Sequence, residues 1–165
     1  MVPWILSLMV ALQATAPWSY TYRDTAVAID RAAHAQPLWD DEDGVARTAA
    51  LLVATSFFES RFDPHAIDDT GTTFCLGQVD PRGVFATPQA LLHDTPLCVG
   101  TMLLLMHESF RVCALRGRPE LDRLGQYTGG GGRCDRGLRE SRLRAGLAAA
   151  LLRAHPPRWV EETRW

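Results

Sequence analysis

The sequence predicts a mainly α-helical fold, with about six helices and a small β or loop insertion after the second. Three observations predict it. Apolar residues recur at helical spacing in several segments, Pro and capping residues bracket those segments, and residues 61–83 break the pattern with two prolines and three glycines.

Tyr22 to Ala35 places Ala26, Ile29 and Ala33 on one face, and Pro37 stops it. Asp43 is a candidate cap for a second helix through about Ser60, with Val45, Ala49, Leu52, Val53 and Ser56 inward. Pro64, Gly71, Gly77, Pro81 and Gly83, with β-branched and aromatic residues between them, predict a loop with a short irregular β element. Thr87-Pro88 opens a short helix to about His93, with Pro in the first turn. Leu97 to Leu115 is apolar almost all round, which predicts the central core helix. Pro119 opens a further short helix to about Tyr127, and Gly129 to Gly132 reads as a turn. Arg139 to Ala154 is the last helix, with Leu143, Leu147, Ala150 and Leu151 inward.

A length of 165 residues and 47% hydrophobic content suit one domain with one core, expected over 17–165. A net charge of −2 gives no reason to expect a nucleic-acid partner. The charge is uneven: 40–43 is Asp-Asp-Glu-Asp, while 133–158 carries seven arginines against Asp135 and Glu140. Such runs are usually solvated faces; a basic face toward an anionic polymer is the functional alternative.

Cys75, Cys98, Cys113 and Cys134 contain no C-x-x-C pair, so no metal site or other cofactor is expected. Of the three possible disulfide pairings, Cys75–Cys98 and Cys113–Cys134 each join neighbouring segments and are preferred. The apolar run Trp4 to Leu12 and the small-x-small Ala14-Thr15-Ala16 fit a signal peptide over 1–16. Against it stand the lack of a basic residue before the run and Pro17 after the cut. No other apolar run suggests a stable membrane span. Export to a periplasmic or extracellular space, as a monomer, is the expectation.

Three patches carry candidate chemistry: Glu59 to Ala66, Asp69 to Asp80, and Gln126 to Gly130. Cleaving a glycosidic bond requires proton delivery to a poor leaving group, which a carboxylic acid does when an apolar site raises its pKa. Glu59 follows Phe57-Phe58 at a helix C-terminus, where the negative end of the dipole also disfavours ionisation. In order and spacing the patches resemble the lysozyme-like superfamily that includes soluble lytic transglycosylases and goose-type lysozymes. The transglycosylase motifs E-S-x-F-x-P-x-A, G-L-x-Q and Y-N-x-G appear as Glu59-Ser60-x-Phe62-x-Pro64-x-Ala66, Cys75-Leu76-Gly77-Gln78 and Tyr127-Thr128-Gly129-Gly130. Asp69, Gly71, Phe74, Leu76, Gln78, Val79 and Asp80 fall in the goose-type register D-x-G-x-x-F-G-L-x-Q-V-D. The resemblance covers about 46–150, with Cys75 in place of Gly and Thr128 in place of Asn.

The resemblance implies peptidoglycan glycan strands as partner and a lysozyme-like fold. It makes Glu59 the catalytic acid, with Ser60, Phe74, Leu76, Gln78 and Tyr127 binding substrate. Asp69 and Asp80 would position water if the bond between N-acetylmuramic acid and N-acetylglucosamine is hydrolysed; each is also a plausible turn residue. The Glu-Ser-x-Phe-x-Pro-x-Ala run looks more like the transglycosylases, which need one Glu and give 1,6-anhydro ends. Goose-type hydrolysis, a non-catalytic peptidoglycan-binding module and a structural helical domain are the alternatives. His34, His65, His93, His107 and His155 are scattered without a ligand-pair spacing, and no phosphate-binding loop occurs.

Overall fold

A computed structural model of the chain describes residues 1–130 and 132–157. Among these residues it is mainly helical, with seven α-helices and no strand. The helices are α1 (Val2–Leu12), α2 (Tyr22–Ala35), α3 (Gly44–Ser60), α4 (Pro88–His93), α5 (Thr95–Leu115), α6 (Gly125–Gly129) and α7 (Leu138–Ala154). Short 3₁₀ turns lie at Ser19–Thr21, Pro81–Gly83 and Glu120–Asp122. The segment expected as one helix from Pro119 is therefore a 3₁₀ turn followed by α6. Gly131 and Arg158, part of the glycine turn and of the arginine-rich run, lie outside the described residues.

Capping chemistry explains several boundaries. The Thr87 hydroxyl accepts from Ala90 N–H at 3.2 Å, with Pro88 beside it at the start of α4. Asp94 caps α5 through Leu97 N–H at 2.9 Å, starting that helix two residues earlier than the apolar pattern does. Asp43 occupies the N-cap of α3, but its side chain makes no capping bond.

Helix α3, rather than α5, runs through the middle. Every residue from Thr48 to Ser56 is buried, and α3 packs against α1, α2 and α7. Its small residues, Ala46, Ala49, Ala50 and Ala54, let neighbours approach on all sides. Helix α5 is long and apolar enough to cross a membrane, but it sets Cys98, Val99, Met102, Leu103 and Met106 into the core. Leu104 and Leu115 stay exposed.

The inward face of α7 also differs from expectation. Ser141, Arg144, Ala148 and Leu151 point in, whereas Leu143 and Ala150 are exposed. A Leu143-based stripe is the more apolar choice, but it is not the face that meets α3.

Residues 2–12, the apolar stretch of the possible leader, form a helix whose Ile5, Leu8 and Met9 are 0% exposed. It packs on α2 and α3. Trp4 Nε1 donates to the His155 carbonyl at 2.7 Å, so α1 also meets the end of α7.

Both disulfides form with the preferred pairing, Cys75–Cys98 and Cys113–Cys134. They suit an oxidising compartment. The first ties the loop after α3 to the start of α5; the second ties the end of α5 to the segment before α7. They close loops with sequence separations of 23 and 21 residues. Replacing either pair by serines is expected to lower stability by about 3 kcal/mol, chiefly by freeing the unfolded chain. Urea denaturation of each double variant checks this, and an unchanged midpoint would contradict it.

Candidate active site

The C-terminus of α3 places Glu59. The helix stops because Arg61 and Phe62 both adopt left-handed backbone, at φ 56° and 64°. Phe62 N–H then returns to the Ser56 carbonyl at 3.3 Å. The conformation is held by burial: Phe62 is fully enclosed, edge-on to Tyr22 at 5.5 Å and tilted against Phe57 at 5.8 Å. Non-glycine residues in this region are sparsely populated and persist where packing over-determines them.

The chain then makes a compact loop. The Asp68 carboxylate accepts from Thr72 N–H at 2.6 Å, from Thr73 N–H at 2.8 Å and from the Thr70 hydroxyl. The Thr70 hydroxyl first, then the backbone donors, hold Asp68 well below the usual carboxylate range. The expected β element reduces to isolated bridges, Ile67 with Phe74 and Phe74 with Val79. Cys75 and Gln78 are again left-handed, at φ 63° and 49°. The Cys75–Cys98 bond anchors this turn to α5.

Loop, α5 and α6 enclose a cleft of about 720 Å³ with Glu59 in its wall. Gln78, Asp80, Glu108, Gln126 and Tyr127 also line it. The volume is in the range of small-ligand and substrate sites. Tyr127 donates its hydroxyl to the Gly77 carbonyl at 2.6 Å, joining the second and third sequence patches. Gly77 permits this approach, because a Cβ there would lie 2.6 Å from Met102 Sδ and 3.0 Å from the Tyr127 oxygen. Burial, then the nearby Glu59 charge, push the Tyr127 phenol well above its ordinary value, so it stays a neutral donor.

Glu59 is mostly buried, with its side chain 18% exposed. Burial raises its pKa, and the charge and hydrogen bond of Arg144 oppose that rise without cancelling it. Arg144 Nη2 donates to Glu59 Oε1 at 2.7 Å.

The cleft thus brings Glu59, Gln78, Asp80 and Tyr127 together, and other predicted residues take different places. The Ser60 hydroxyl contacts the carbonyls of Leu76 at 3.0 Å and Ser56 at 3.2 Å, tying α3 to the loop. Leu76 is fully buried and Phe74 packs against the core away from the cleft wall, so both serve packing here. Asp69 is exposed outside the cleft, and its neighbour Asp68 organises the turn. Asp80 is gripped by Arg82, Nε to Oδ1 at 2.9 Å and Nη2 to Oδ2 at 2.6 Å, which lowers its pKa.

Sequence reasoning missed Arg144 and Glu108, and placed Gln126 in the third patch without a role. For Arg144 the available signal was its place in the stripe Ser141, Arg144, Ala148, Leu151. The arginine-rich run is partly neutralised, by Asp135 within it through Arg133 and by carboxylates elsewhere in the chain through Arg142–Asp122 and Arg144–Glu59. A smaller, mostly apolar cavity of about 130 Å³ lies under Trp39 and Phe110; Arg47 and Glu120 at its edge pair with each other. Among the described residues no cluster of three or more His, Cys, Asp or Glu could hold a metal. No protein-family model matches the chain, and neither a curated protein nor a solved structure matches it.

Proposed function

We propose that this chain cleaves the glycan backbone of peptidoglycan as a lytic transglycosylase on a lysozyme-like fold. The observation that carries the proposal is a buried carboxyl with a raised pKa, Glu59, in the wall of a cleft shared with Gln78 and Tyr127. These three residues come from the three patches that resemble the transglycosylase motifs. Cys75 adds support: it stands where the motif has Gly, and its backbone adopts the left-handed conformation that glycine accommodates best.

In this mechanism protonated Glu59 gives its proton to the glycosidic oxygen as the bond from muramyl C1 to that oxygen breaks. The Glu59 carboxylate then takes the proton of the muramyl 6-hydroxyl as that oxygen bonds to C1. The acid is regenerated, no water is consumed, and the product carries a 1,6-anhydro ring. Hydrolysis would instead require a second carboxylate to activate water. Asp80 and Glu108 share the cleft, but Arg82 and Arg111 respectively bind them and lower their pKa values, making them weak bases.

The test is digestion of purified peptidoglycan with the products read by mass spectrometry. Muropeptides lighter by one water than those with reducing ends are expected. Reducing ends would replace the transglycosylase with a goose-type hydrolase. Absence of products with glycan binding intact would leave a peptidoglycan-binding module.

A further inference from the structure

Helix α7 brings to Glu59 a cation that none of the three sequence patches contains. Arg144 is only 7% exposed. Its Nη2 donates to Glu59 Oε1 at 2.7 Å, its Nη1 donates to the Glu140 carbonyl at 2.9 Å, and its guanidinium lies 5.4 Å from the Phe58 ring centre. The group is therefore fixed from three directions. Glu59 Oε2, by contrast, accepts no hydrogen bond from the described residues. Arg144 Nε is buried without a partner among them, and a pair serving structure alone would ordinarily have its donors satisfied.

We propose that Arg144 is a positioning residue for Glu59: it pins the carboxyl through Oε1, leaves Oε2 for proton exchange, and stabilises the carboxylate formed once the proton has been delivered. The inference rests on the proposed role of Glu59 as acid and then base. A buried carboxyl with no cation nearby would deliver its proton reluctantly, because the resulting charge would be unsolvated. Arg144 offsets that cost while burial keeps the neutral form accessible. The other groups sharing the cleft bring no free positive charge. Among the described residues the titratable ones that line it beside Glu59 are the neutral phenol of Tyr127 from α6, Glu108 from α5 held by Arg111, and Asp80 from the loop held by Arg82.

The experiment compares wild type with Arg144→Met, which keeps length and apolar bulk, and Arg144→Lys, which keeps charge without the planar fork. The Glu59 carboxyl is titrated by carbon NMR, its signal assigned by its loss in Glu59→Gln, and peptidoglycan turnover is followed against pH. In Arg144→Met the Glu59 midpoint should move to higher pH, the alkaline limb of the rate should move with it, and kcat should fall about 10- to 100-fold with KM little changed. Arg144→Lys should restore much of the midpoint but not kcat. An unmoved midpoint in a folded Arg144→Met, or wild-type kcat in Arg144→Lys, would overturn the proposal. The lysine variant alone decides if the methionine variant does not fold. A midpoint that moves while wild type cleaves nothing would overturn the catalytic role of the pair; the cleavage reading would fail with it, and the titration would tell that failure from one at Arg144.

Discussion

Glu59→Gln is expected to reduce peptidoglycan turnover by roughly 10²- to 10⁴-fold, the usual contribution of a general acid, while glycan binding persists. The substitution preserves shape and keeps an oxygen that can accept from Arg144 Nη2, but it removes the transferable proton. Wild-type turnover should fall as pH rises and Glu59 loses its proton. Because burial raises the Glu59 pKa, that fall should lie above the ordinary carboxylate range. The same shift has a sign for stability. A carboxyl whose folded-state pKa is raised favours folding fully below its unfolded value, and this contribution is lost as pH rises through the folded value. Glutamine cannot titrate, so the stability gap between the two proteins should change with pH in that window. Turnover against pH and thermal melts at several pH values check both statements. Equal turnover by the two proteins would remove Glu59 from the chemistry.

The helices were legible where local chemistry fixes them. Thr87-Pro88 marks the start of α4, and Pro37 stops the chain soon after α2 ends. Legibility fails where a choice depends on a distant partner. The faces through Leu143 and through Ser141, Arg144 and Leu151 are alternative stripes on one helix, and the packing of α7 on α3 selects the second. An arginine on a helix is ordinarily solvated. Nothing local reveals that Arg144 meets Glu59, 85 residues away in the chain. In the loop after α3 the expected short β element reduces to isolated bridges for a related reason. Val79, Phe74 and Thr73 have strand-like chemistry, but the Asp68 turn and the left-handed residues at 75 and 78 leave room only for isolated bridges. In the cleft, Glu59, Gln78 and Tyr127 were legible as motif positions. Phe74, Leu76 and Asp69 share the motif's register, yet register does not say which side of a loop a residue faces.

Removing residues 1–16 should destabilise the protein by about 4 kcal/mol or more, a large part of a typical domain's stability. Ile5, Leu8 and Met9 are fully buried, so losing α1 uncovers the apolar faces of α2 and α3 against which it packs. It also removes polar ties, among them Trp4 Nε1 to the His155 carbonyl at 2.7 Å, the Tyr22 hydroxyl to the Gln13 carbonyl at 3.0 Å, Ser19 N–H to the Ala16 carbonyl at 3.0 Å, and the N-terminal ammonium to Asp30 at 3.4 Å. The shortened chain is spared the entropy cost of ordering these residues, which offsets part of the lost burial, so the expected loss is the net of the two. At about 2–4 °C per kcal/mol for a chain of this size, the melting temperature should fall by about 10 °C or more. The measurement is a thermal melt of 17–165 beside 1–165, with the intact mass of the protein recovered from cells expressing 1–165 determined in parallel. An apolar run of this length serves equally as the central stretch of a leader or as a core helix, and composition does not separate the two. The melt does. If 17–165 melts with the full chain, α1 contributes nothing to the core and cleavage after Ala16 is free to occur. If it melts far below, a chain cut at that point would have lost one wall of its core, and export would have to proceed with α1 retained.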